Sequence, residues 1–325
     1  MKKLKIVTKI VATIFIILIS IIGLTLFINY MLLKIERKKI IPNGSLVEVN
    51  GYRLHIYSEG AKNNKPTLVF MAGSGTPAPV YDFKPLYSLL KDEFQIVVVE
   101  KIGYGYADIV NTDRDIDIIL EETREALKSF GSNGPYVLLP HSMSGLEALY
   151  WQIKYPEEIT AIIGLDMAFP EFYDLFNEVN EADDKRLLSM KLLHYVAKTG
   201  LLRISFITSG LISINNSSLT ADEYKQAKYL LYRNGMNISV LNEGKKVHSN
   251  ARKVAAVNNS TKNINILLFS SNGAELNSSW VDLQKQSAIK MDAELIIFDC
   301  GHYVHIHEAL EIANKCKQFL NGIIN

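Results

Sequence analysis

Tyr136-Val137-Leu138-Leu139-Pro140-His141-Ser142-Met143-Ser144-Gly145 decides how this chain folds. A short apolar run without polar alternation is the pattern of a strand covered on both faces. The residues from Ser142 to Lys154 carry a helical pattern, so strand and helix meet at a sharp turn. A serine on such a turn projects its hydroxyl above the sheet edge as a nucleophile elbow. The turn brings two backbones close together and needs small residues two before and two after the nucleophile. Ser144 suits the later place, and Pro140 stands at the earlier one, fixing φ and lacking an N–H. Taking Ser144 as the nucleophile puts the bulky Leu146 at the later place, so Ser142 is the better candidate. A serine that only caps the helix is the plain structural reading.

Outward from this turn the pattern repeats. Leu46–Val49 and Tyr52–Tyr57 flank Asn50-Gly51, which predicts a hairpin. Apolar runs at Thr67–Met71, Gln95–Val99, Ala161–Leu165, Ile264–Phe269 and Glu294–Phe298 read as further strands. Helical patterns at Lys84–Lys91, Ile116–Phe130, Ser278–Lys290 and Glu308–Leu320 lie between them. Such alternation predicts an α/β fold, a mostly parallel sheet with helices on both faces. From 169 to 259 the pattern is helical throughout, too long for one crossover, and reads as a helical lid over the carboxyl edge of the sheet. The division expected is residues 1–41 as tail, membrane helix and linker, 42–168 with 260–325 as the core, and 169–259 as the lid.

The 325 residues are 48% hydrophobic and 21% charged, enough apolar side chain for a sizeable core and against a disordered chain. Two cysteines, Cys300 and Cys316, exclude a disulfide scaffold and a thiolate zinc cluster. The net charge of +1 conceals an asymmetry. Residues 1–39 hold eight basic side chains and one acid, Glu36, leaving 27 basic and 33 acidic in the rest. A mildly acidic body argues against nucleic acid as a partner.

Ile10 to Leu33 is a run of 24 residues without a charge, bracketed by Lys9 and Lys34. As a helix it spans about 36 Å, enough for a hydrocarbon core of about 30 Å. A cleaved signal peptide has a shorter apolar part and a small-x-small site, which Phe27-Ile28-Asn29-Tyr30-Met31 does not offer. A single-pass cell-membrane anchor is therefore expected. Lys2, Lys3, Lys5 and Lys9 precede the span, and Lys34, Arg37, Lys38 and Lys39 follow it. The amino terminus tips the balance toward an inside N-terminus and an extracytoplasmic body. The first hairpin begins near Leu46, so the body is expected to fold without residues 1–41.

Three more segments carry chemistry. Asp299-Cys300-Gly301-His302 follows the last strand, where a histidine reaches back to the serine as general base. His305 and His307 are rivals that fall at or on the following helix and read as structural. Met71-Ala72-Gly73-Ser74-Gly75 follows the first long strand and can aim the Ser74 N–H at an oxyanion, with the Met143 N–H as second donor. Glu100-Lys101-Ile102-Gly103-Tyr104-Gly105-Tyr106 follows the next.

With these motifs in order, the body resembles the lid-bearing serine hydrolases of the α/β-hydrolase superfamily over about residues 45–322. The resemblance implies an eight-stranded, mostly parallel sheet and a triad in the chain order serine, acid, histidine. Ser142 and His302 match it. The oxyanion loop departs from the usual His-Gly with Ala72-Gly73, and the next turn departs from Asp-Arg-Pro-Gly-x-Gly. The acid is open. The family's usual loop reads Ser270-Ser271-Asn272-Gly273-Ala274-Glu275, one step out of place for Glu275, while some members use the preceding strand end, here Asp166. Ser142 excludes the aspartate nucleophile of the superfamily's dehalogenases and epoxide hydrolases. The implied protein is a membrane-anchored hydrolase of carboxylic esters, without metal or organic cofactor, acting on a small ester or acyl substrate. The other readings are an aminopeptidase-like or thioester hydrolase and a non-catalytic binding protein on the same fold.

Overall fold

The computed structural model describes residues 2–174, 180–201, 203, 218–257, 264–276 and 278–324. Helix α1 (Lys2–Arg37) precedes the hairpin β1 (Ser45–Val49) and β2 (Tyr52–Gly60). Then come β3 (Thr67–Met71), the short helices α2 (Pro79–Asp82) and α3 (Lys84–Tyr87), β4 (Gln95–Glu100), α4 (Ile116–Phe130), β5 (Tyr136–Pro140), α5 (Ser144–Lys154) and β6 (Ile159–Leu165). Helices α6 (Pro170–Asp174), α7 (Asn180–Thr199), α8 (Ala221–Asn234) and α9 (Ile238–Val257) follow. The chain ends with β7 (Asn265–Ser270), α10 (Trp280–Met291), β8 (Glu294–Ile297), α11 (Val304–His307) and α12 (Ala309–Ile324).

The eight strands form one sheet in the order β1-β2-β4-β3-β5-β6-β7-β8. Only the pairings of β1 with β2 and β2 with β4 are antiparallel. The rest are parallel, as the apolar runs predict. Asn50 and Gly51, at φ 54° and 81°, both take the left-handed region that a tight hairpin turn requires. Alternate residues of each central strand serve opposite layers. Val69, Met71, Val97 and Val99 pack toward Leu120, Leu149 and Trp151 on one face. Leu68, Phe70, Ile96 and Val98 pack toward Phe83, Leu86, Ile312 and Leu320 on the other. Helix α4 has the bounds its sequence predicts, because the Asp115 carboxylate accepts from the Asp117 N–H and Gly131, at φ 86°, ends it.

The described parts of 169–259 are helical, with α9 packed against α5, α6 and α7. Residues 175–179, 202, 204–217 and 258–259 of the expected lid lie outside the described residues. Helix α1 is the one described helix long and apolar enough to cross a membrane, with a mean hydropathy of 2.9 over its most apolar window and none of that window buried.

The end of α1 and the linker make contacts with the body that the sequence pattern does not announce. Arg203 donates to both Glu36 carboxylate oxygens at 2.8 and 2.7 Å. Gln226 on α8 clasps the linker, donating to the Lys39 carbonyl at 2.8 Å and accepting from the Ile41 N–H at 3.0 Å. Ile40 packs on a small cluster of Ala78, Tyr81, Tyr106, Ala227 and Leu230. A protein starting at residue 42 loses all of these, whereas one starting at Lys34 keeps them. The shorter protein is expected to be less stable by about 1–3 kcal/mol, read by urea unfolding; equal stability would show that the linker contributes nothing.

Candidate active site

The carboxyl ends of β3, β5, β6, β7 and β8 converge on one region. Ser142 follows β5 at φ 53°, a left-handed conformation that costs energy for a residue with a Cβ and marks a constrained position. The strain is held by the surrounding backbone. The His141 N–H donates to the Met71 carbonyl at 3.0 Å, and the Ala168 N–H to the Ser142 carbonyl at 2.8 Å. Glycine is required where the loop after β3 meets this turn, because a Cβ on Gly73 would lie 2.7 Å from the Ser142 Cβ. Ser144 is fully buried and donates to the carbonyls of Met71 and His141 at 2.7 and 2.8 Å, so it ties the elbow together and does not face the cavity.

Asp166, at the end of β6, is completely buried. One carboxylate oxygen accepts from the Ser271 N–H at 3.0 Å, the Trp280 indole N–H at 2.7 Å and the Ser270 hydroxyl at 3.2 Å. The other lies 2.7 Å from His302 Nδ1. Burial works to raise its pKa, yet the donors, His302 first, hold it below the ordinary carboxylate value. Asp166 is therefore ionised at neutral pH. Of the two acids left open by the sequence, the structure brings Asp166 to the imidazole and Glu275 elsewhere. Glu275 accepts from the His302 backbone N–H at 2.8 Å and so holds the loop, not the ring. Its position one step beyond the family's usual place explains this, since its side chain turns back along Gly301, where a Cβ would meet its carboxylate at 2.5 Å.

The His302 carbonyl lies 3.2 Å from His141 Nε2, which sets the loop after β8 against the elbow. Ser142 and His302 share no hydrogen bond in this structure; serine–histidine contacts in substrate-free sites are often long and tighten when substrate arrives. The rings of His141, His302, Tyr303 and His305 pack together, with His141 and His302 centroids 4.6 Å apart. Burial, followed by the neighbouring imidazoles, keeps His141 well below its usual pKa and hence neutral. His305 on α11 is buried and meets Asp82 of α2 at 2.9 Å, while His307 is exposed. His305 touches the His141 ring but pairs with Asp82 instead of Asp166, and neither of the two lines the cavity beside Ser142.

Ser74 and Met143 both line a cavity of about 490 Å³ with Ser142. Phe172 and Tyr173 of α6, Met190 of α7 and Val247 of α9 form its largely apolar walls. Its size suits a small organic ligand. The backbone N–H groups of Ser74 and Met143 engage no acceptor among the described residues. A larger polar depression of about 670 Å³ lies at the opposite end of β3 and β5, away from Ser142.

Sequence reasoning passed over a buried network behind the loop after β3. Tyr104 accepts from the Gly75 N–H at 3.0 Å and donates to Glu243 of α9. Lys101 pairs with both Glu147 of α5 and Glu243. Burial opposes its charge, but the two carboxylates outweigh it and hold the ammonium. The only signal was Lys101 and Tyr104 after β4, whose partners lie over 40 and 130 residues away.

No protein-family model matches the chain. The sheet order, with the turn at Ser142 and the Asp166–His302 pair at its carboxyl edge, is that of the α/β-hydrolase fold. It is 37% identical over 257 residues to the uncharacterised protein YbdG of Bacillus subtilis (strain 168), covering 78% of this chain and 77% of that protein. A shorter likeness, 23% over 105 residues, joins it to the 2-(acetamidomethylene)succinate hydrolase of Mesorhizobium japonicum, covering 32% of this chain and 37% of that enzyme. The enol-lactonase of Burkholderia xenovorans LB400 shares the fold with a TM-score of 0.62 and 14% identity, over 85% of this chain and 100% of that one. An epoxide hydrolase of Vigna radiata shares it with a TM-score of 0.65 and 18% identity, over 86% and 97%.

The Asp82–His305 contact beneath the site yields a test. Burial pushes Asp82 up to about 8, against the pull of His302. Burial pulls His305 down to about 3, aided by repulsion from His302 and His307. The pair is thus neutral at pH 7. A carboxyl raised on folding contributes stability at low pH that is lost as pH rises through about 8. His305, lowered on folding, acts in the opposite sense only below its ordinary value of 6.5. Between pH 6.5 and 8, Asp82→Asn should lose its stability deficit relative to the wild type, because the amide cannot ionise. Parallel unfolding curves over that window would contradict the neutral pair.

Proposed function

We propose that the chain is a membrane-anchored serine hydrolase of carboxylic esters. The observation that carries this reading is the buried Asp166 carboxylate 2.7 Å from His302 Nδ1, which leaves Nε2 as the basic face of the ring. His302 takes the proton of Ser142 as its Oγ attacks the ester carbonyl. The oxyanion forms between the Ser74 and Met143 N–H groups. His302 then returns the proton to the leaving alcohol, giving an acyl-Ser142, and activates water to release the acid. Ionised Asp166 keeps Nδ1 protonated and offsets the imidazolium charge. A serine at the elbow favours acyl transfer over epoxide opening.

Kinetics on short p-nitrophenyl esters test the roles. Ser142→Ala should reduce turnover to background. Asp166→Asn should lower kcat by about 10³–10⁴-fold with KM little changed. Glu275→Gln should cost no more than about tenfold, since the loss is one charge on a backbone hydrogen bond. If Glu275→Gln is the crippling change and Asp166→Asn is mild, the assignment of the acid is wrong.

The anchor belongs to the same reading. Support comes from the charge-free run of α1, none of whose most apolar window is buried. Full-length protein is expected in the membrane fraction after an alkaline carbonate wash. Protease added to intact cells should degrade the body. Recovery in the soluble fraction would remove the anchor, and a body protected until permeabilisation would reverse the topology.

A further inference from the structure

Asn29 is a polar residue inside the charge-free run of α1, and only 5% of it is exposed. Its amide donates to the Lys198 carbonyl at 2.9 Å, and its oxygen accepts from Arg203 Nε at 2.7 Å. The Arg203 guanidinium continues to Glu36. The carboxyl end of α7 is therefore pinned to α1 between Asn29 and Glu36. Asn29 lies four residues before Leu33, where the charge-free run ends. At about 1.5 Å per residue, that contact sits about 7.5 Å below the level of Lys34. If α1 spans a bilayer, this is the depth of the boundary between headgroups and acyl chains, where interfacial helices lie.

The two sides of α7 differ. Leu188, Leu192 and Tyr195 recur at helical spacing on its outer side and are 56%, 57% and 65% exposed. Exposed Lys191 and Lys198 flank them, as on helices that lie among lipid headgroups. On the opposite side, Arg186 and Met190 line the cavity above Ser142, and the next residue in that row, His194, is buried against the Met236 carbonyl.

We propose that the outer face of α7 is seated in the membrane leaflet at the carboxyl end of α1, and that the cavity takes its substrate from that leaflet. The substrate is then an ester carrying a lipid tail. This rests on the function proposed for Ser142, although the docking stands apart from it. Helix α7 is the wall between bilayer and cavity, and α1 fixes its depth.

The test uses the full-length protein in phospholipid vesicles. The native Trp151 and Trp280 are buried, so a tryptophan placed at Leu192 reports on its own surroundings. Emission of Leu192→Trp should be strongly quenched when brominated phospholipid replaces the ordinary lipid. Ile289→Trp on α10, where the native side chain is 83% exposed, should be unaffected. The pair Leu188→Glu and Leu192→Glu should raise KM for a long-chain ester embedded in vesicles by about tenfold or more. The same variant should hydrolyse a water-soluble short ester within about twofold of the wild type, which also shows that it folds. Unquenched emission from Leu192→Trp overturns the proposal, including the case in which that face is covered by a second copy of the chain. Quenching with an unchanged KM for the vesicle ester overturns supply from the leaflet. A wild type that cleaves neither ester sinks the function proposed for Ser142, while the quenching still decides the docking.

Discussion

A single buried carboxylate holds together the working end of this molecule. Asp166 has no access to water and draws donors from two separate strand ends and one helix. An unpaired ion at that depth is prohibitively costly, so its four contacts are a condition for folding the region. They fix the loop after β7 through Ser270 and Ser271, the start of α10 through Trp280, and the loop after β8 through His302. The imidazole is thus oriented by the same interaction that closes the carboxyl edge of the sheet.

The proposed nucleophile is positioned by different means. Ser142 holds a left-handed backbone because the chain on either side is bonded into neighbouring strands and because Gly73 leaves room for it. The Gly75 end of that loop is tied through Tyr104 and Glu243 to α9, and Lys101 links the same glutamate to α5. Helix α9 is consequently joined to the loop after β3 by buried polar and charged groups. Such a network contributes only when every member is present, since removing one partner leaves the others charged and dry.

Most of the fold was legible because its signals are local. Apolar runs gave the strands, Asn50-Gly51 the hairpin, and the helical period of 116–130 gave α4. The placement of Ser142 and His302 after β5 and β8 was legible because each sits on a turn with its own sequence pattern. The acid was not, because what distinguishes Asp166 from Glu275 is the set of donors from Ser271 and Trp280, over 100 residues further along the chain. Periodicity also treats α1 as a detached anchor. Only the folded chain shows Asn29 and Glu36 engaged by the end of α7 and by Arg203, and Ile40 packed on the body.

The central claim is that Asp166, through His302, makes Ser142 nucleophilic. Fluorophosphonate labelling of full-length protein, with the adduct located by peptide mass spectrometry, tests it without knowledge of the substrate. The account expects one adduct, on the peptide containing Ser142, formed far more slowly in Asp166→Asn. An adduct on another serine, no adduct at all, or a labelling rate indifferent to Asp166 would contradict it.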